Sequence, residues 1–148
     1  MKLIDALLGE HGAFYALFDS IEQMASTSGD IAQIDTAMAV LATELNAHAA
    51  FEEKLLFPAL ERHTGTKKLL AEMVAEHQDI RHGLERIENA RDINEAAEAV
   101  QQTMAAARRH FRKEETVLYP LAKKVLDDET LAQLGEAWAA ARSVIIRQ

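Results

Sequence analysis

Four histidines and two glutamates in this chain are spaced so that they can act on one point. The stretch HAAFEEKLLFP, from His48 to Pro58, returns as HFRKEETVLYP, from His110 to Pro120. In each copy a glutamate, Glu52 or Glu114, follows its histidine by four residues. On a helix that places it about 40° round and one turn along, so imidazole and carboxylate can reach the same centre. Glu53 and Glu115, one residue further on, are expected to point elsewhere. Two more histidines, His11 and His77, stand in related segments ahead of the copies, EHGAFYALFDSIE from Glu10 and EHQDIRHGLERIE from Glu76. Four neutral imidazoles and two carboxylates make an N4O2 donor set, enough for two divalent ions if each takes two histidines and the carboxylates bridge.

Any one of these residues alone reads as a hydrogen-bonded core side chain. Six in one layer need partners, because burying a polar group unpaired costs roughly 2 to 7 kcal/mol, and a metal pair satisfies all six. A mutual His–Glu network without metal is the alternative, in which the two carboxylates would raise one another's pKa. The chain has no cysteine, which excludes disulfides, thiolate zinc sites and cysteine-held iron–sulfur clusters. Tyr15 and Arg81 each stand four residues after a histidine. Tyr15 reads as core packing, or as a metal ligand or a gate at an open position, and Arg81 as a solvated side chain or as a clamp on a carboxylate or anion. Glu10 and Glu76 are expected to face solvent, Phe57 and Tyr119 to pack near the proline kinks, and His63 and His82 to lie off the site.

The elements that must position these residues are helices. Helix formers dominate the 148 residues, 49% of them hydrophobic, while six glycines, two prolines and 5% aromatics leave few breaks; this is an all-α composition of one-domain size. Breaks at Ser26–Asp30, His63–Thr66, Arg91-Asp92 and Leu126–Asp128, with Asp or Thr as caps, leave segments of roughly 3–25, 31–62, 66–90, 93–125 and 129–146. Apolar residues repeat at steps of three and four. The seams run Ile4, Leu7, His11, Phe14, Phe18, Ile21; Ile34, Met38, Leu41, Leu45, His48, Glu52, Leu55; Leu70, Met73, His77, Ile80, Leu84, Ile87; and Val100, Met104, Ala107, His110, Glu114, Val117, Leu121. Each pair of neighbouring histidines lies within about one helical turn of equal distance from its connecting loop, so all four fall at one level. The expectation is a single domain over 1–148: an up-down four-helix bundle over 3–125, made of two similar hairpins, plus a C-terminal helix at 129–146. Pro58 and Pro120 should kink or end their helices. The last helix, with Leu131, Leu134, Trp138, Ala141 and Ile145 on one stripe, should pack outside the bundle and carry no chemistry.

Net charge is −8 with basic residues dispersed, which disfavours a nucleic-acid partner. The first residues, MKLIDALLGEHG, are unlike a signal peptide and no apolar run approaches membrane-spanning length. A cytoplasmic protein with no membrane partner is expected; the sequence does not state its oligomeric state.

The paired HxxxE motifs with two further spaced histidines resemble the hemerythrin-like, or HHE cation-binding, domain over nearly the whole chain. The resemblance implies a four-helix bundle holding a bridged non-haem di-iron centre, with His11, His48, His77 and His110 as terminal ligands and Glu52 and Glu114 as bridges. Oxygen-carrying members have a fifth histidine four residues after the third-helix ligand and an aspartate five after the fourth-helix histidine. Here those places hold Arg81 and Glu115. The four-His, two-Glu set is more similar to the di-iron domain of repair-of-iron-centres proteins. It implies two iron ions that bind or sense O2 or NO, or an iron-handling role in centre repair or donation. A di-iron oxidase or peroxide-consuming enzyme is the alternative, and O2 storage ranks below both for want of the fifth histidine.

Overall fold

In the computed structural model, residues 1–27 and 30–144 are described, and all of their regular structure is helical. Helix α1 is Leu3–Thr27. Helix α2 runs Ile31–Phe51, then through a π-helical turn at Glu52–Leu56 into a last α turn at Phe57–Leu60. Helix α3 is Lys67–Glu88. Helix α4 runs Ile93–Lys113, through a second π-helical turn at Glu114–Leu118, and on through Tyr119–Val125. Helix α5 is Asp128–Ala141. Three start on an aspartate whose side chain accepts from backbone N–H groups of the first turn: Asp30, Asp92 and Asp127, satisfying donors that the helix leaves open. Thr66 does not cap α3. Its hydroxyl donates back to the carbonyls of Leu60 and His63, and Gly65 at φ +88° turns the chain between them, a conformation that glycine adopts without steric cost. Ser28 and Gly29 of the first break, and Ile145 of the last stripe, lie outside the described residues.

The first four helices pack in a ring, α1 on α2, α2 on α3, α3 on α4 and α4 on α1, the up-down arrangement expected. Their core falls into two apolar clusters. Leu3, Leu7, Leu56, Leu60, Met73 and Leu118 belong to one, Phe14, Phe18, Leu41, Leu84, Met104 and Phe111 to the other, and the six polar residues lie between. Helix α5 packs on α1 and on the π turn of α2. Gly135 permits this, since a Cβ there would run into the carbonyl of Met1. Among the described residues no helix is long and apolar enough to cross a membrane.

The seams hold as far as Glu52 and Glu114 and then slip by one residue. Val117 is 46% exposed whereas Leu118 is fully buried; likewise Leu56 and Ala122 take the buried places expected for Leu55 and Leu121. The cause is the π turn, which inserts one residue per turn and rotates everything after it. Phe57 and Tyr119 donate their N–H groups five residues back, to the carbonyls of Glu52 and Glu114. The widened turn also makes room for the rings of Pro58 and Pro120, so neither proline ends its helix and α4 continues to Val125.

Candidate metal centre

Each bundle helix contributes one histidine at the same height, and α2 and α4 add a glutamate one turn on. None of His11, His48, Glu52, His77, His110 and Glu114 is more than 3% exposed. Their donor atoms form two groups that share Glu114. His11 and His48, from the first hairpin, lie with Glu114; His77 and His110, from the second, lie with Glu52 and Glu114, and within each group the atoms are within 4.8 Å of one another. His11 Nε2 is 3.2 Å from His48 Nε2 and 3.0 Å from Glu114 Oε2. His77 Nε2 is 3.2 Å from Glu52 Oε2, and His110 Nε2 is 2.6 Å from Glu114 Oε1. All six residues read from the sequence are therefore brought together, while His63 and His82 are not among them.

Behind the imidazoles stands a second set of carboxylates. The Nδ1 atoms of His11, His48, His77 and His110 lie 2.8, 2.7, 2.7 and 2.8 Å from Glu115, Glu10, Glu53 and Glu76 respectively. A carboxylate only accepts, so each Nδ1 donates and each Nε2 is turned inward. This corrects two expectations: Glu10 and Glu76 do not simply face solvent, and Glu53 and Glu115 reach the histidine of a neighbouring helix. Each carboxylate is held in turn. Arg81 donates to Glu53 at 3.0 Å, Lys113 to Glu76 at 2.8 Å, and the Tyr15 hydroxyl to Glu115 at 3.0 Å. Glu10 accepts from Trp138 Nε1 at 3.1 Å and from Arg142 Nε at 2.9 Å, so α5, expected to stand apart from the site, secures His48. Tyr119 also departs from expectation. Its ring is buried, and its hydroxyl enters the layer, donating to Glu52 Oε1 at 2.8 Å.

Two carboxylates at one level of a core cannot both ionise at no cost. Burial, and next the charge of Glu114, push Glu52 above the ordinary carboxylate range. Burial would push Glu114 up as well, but the imidazoles of His11, His110 and His77 beside it hold it well below that range. Burial would lower His77, yet the Glu114 and Glu52 carboxylates beside it raise it to about 10. Protons on the imidazoles balance this charge where no cation does so. They do so imperfectly. His110 Nε2 and Glu114 Oε1, though only 2.6 Å apart, are misaligned for a hydrogen bond and have no other partner. Donor atoms that converge beside one another instead of pairing fit a cation between them, and imidazole with carboxylate suits a borderline metal such as iron.

A helical bundle with a buried layer of histidine and carboxylate defines a metal-binding class of protein. Over residues 2–122 the chain matches the hemerythrin HHE cation binding domain, and it belongs to that family. No curated protein and no solved structure matches it. Family membership implies metal binding, and helix α5 lies beyond the matched residues.

Proposed function

We propose that His11, His48, Glu52, His77, His110 and Glu114 hold two iron ions, through which the protein binds or senses a small molecule such as O2 or NO, or handles iron. The observation that carries this reading is the inward aim of four Nε2 atoms, each fixed by an Nδ1–H bond to an outer carboxylate. Such bonds fix ring orientation and raise ligand basicity. Six donors shared by two ions leave positions free, and the pair would supply a redox-active Lewis acid there.

The surrounding residues favour a small ligand. A cavity of about 20 Å³ lies against His48, His77 and His110, walled by Leu45, Ala49, Ile80 and Phe111. That is room for one molecule the size of water or a diatomic gas, and its apolar wall favours the gas. Asn46 and Arg81 border both this cavity and a wider surface groove between α2 and α3.

The test is anaerobic reconstitution with Fe(II), metal quantification and an absorption spectrum before and after NO or O2. Two irons per chain and a spectral change are expected, with loss of iron in His77→Ala. One zinc per chain would sink the proposal, and two irons indifferent to both gases would sink the small-molecule reading and leave iron handling.

A further inference from the structure

We propose that Tyr119 is a metal ligand, its hydroxyl oxygen serving as a further donor at the position framed by His11, His48 and Glu114. This rests on the binuclear reading above and adds a residue to it. The two groups of donors are unequal: Glu52, His77, His110 and Glu114 make four, whereas His11, His48 and Glu114 make three. Tyr119 Oη stands beside the smaller group. It is 3.3 Å from His11 Nε2 and 3.5 Å from Glu114 Oε2, on a side chain only 2% exposed.

These separations are those of a coordination shell. Around an ion with bonds of about 2.1 Å, adjacent donors stand about 3.0 Å apart at right angles and about 3.4 Å apart in a tetrahedron. The His11–His48, His11–Glu114, His11–Tyr119 and Glu114–Tyr119 separations are 3.2, 3.0, 3.3 and 3.5 Å. His48 to Glu114, at 4.0 Å, is the wider edge.

The same oxygen donates to Glu52 Oε1 at 2.8 Å, so the phenol reaches both carboxylates of the layer. Held by a cation there, Tyr119 would exchange its O–H bond for an oxygen–metal bond, the proton leaving to water.

The doubled phrase supplies a control within the chain. In the first copy the matching residue is Phe57, which stacks on His77 with ring centroids 5.9 Å apart and brings no oxygen.

The chain has only two tyrosines, Tyr15 and Tyr119, so a spectrum can assign the ligand. The whole protein would be reconstituted with ferric iron and studied by absorption and resonance Raman spectroscopy. A visible phenolate-to-iron band with tyrosine ring modes is expected, unchanged in Tyr15→Phe and lost in Tyr119→Phe when normalised to the iron that remains bound. Should Tyr119→Phe not fold, persistence of the band in Tyr15→Phe assigns it to Tyr119 without that variant. Two irons with no phenolate band, or a band lost in Tyr15→Phe or kept in Tyr119→Phe, overturns this inference alone. A chain that takes up no iron overturns the binuclear reading and this inference together.

Discussion

Each buried imidazole commits one nitrogen to an outer carboxylate, and the four carboxylates differ in how firmly they are held. Glu10 is the most enclosed, at 13% side-chain exposure against 29% to 33% for Glu53, Glu115 and Glu76, and it has both an indole and a guanidinium as donors. Removing such a partner typically costs 10- to 100-fold in metal affinity. Glu10→Gln is expected to fall in that range, measured by competition with a chelator, and to cost more than Glu53→Gln. The six inner residues were legible because His48 and Glu52, like His110 and Glu114, share a face of one helix, and loop distances align the rest. The outer carboxylates were not, since each reaches a histidine on another helix and spacing within one helix is blind to that. One signal was available: Glu10 and Glu76 both immediately precede a histidine, and Glu53 and Glu115 both immediately follow an inner glutamate.

At the scale of elements, the two π turns decide which residues fill the core beyond the layer. Leu118→Ala should cost about 2 to 5 kcal/mol, as deletion of a buried leucine does, whereas Val117→Ala should stay within about 0.5 kcal/mol. Urea unfolding of the two variants tests the register, because an uninterrupted α-helix predicts the reverse. Helix identity, order and caps were readable from Asp30, Asp92, Asp127 and the apolar steps. The one-residue slip was not, because a π turn leaves no periodic mark of its own and the proline beyond it suggests a kink equally well. The cap of α5 gives a pH test. Asp127 accepts from the Thr130 N–H at 2.7 Å, and its bonds to Thr130 hold its carboxyl below the ordinary value. A depressed folded value means that the cap's contribution is complete above the unfolded carboxyl value of about 3.9 and fades as pH falls through the lower folded one. The stability gap between the protein and Asp127→Ala should therefore be flat from neutral pH to about 5 and narrow below about 4.

Across the whole molecule, the polar layer divides one bundle core into two apolar clusters, with Glu52 and Glu114 fully buried at the division. A ligand that binds only the folded chain stabilises it by about 2.7 kcal/mol at a hundredfold excess over its Kd. Stripping metal with a chelator is accordingly expected to lower the melting temperature, and restoring it to reverse the loss; equal melting temperatures would mean that the layer is satisfied without a cation. Helix α5 adds a consequence of another kind. The chain has a single tryptophan, and the indole N–H of Trp138 ends on the same carboxylate that receives the Nδ1–H of His48. The protein's own fluorescence is thus wired to one half of the layer, two hydrogen bonds from the His48 ring whose Nε2 faces inward. Emission should shift or dim as that half fills and lose this response in Glu10→Gln, giving a label-free optical record of occupancy from the unmodified chain.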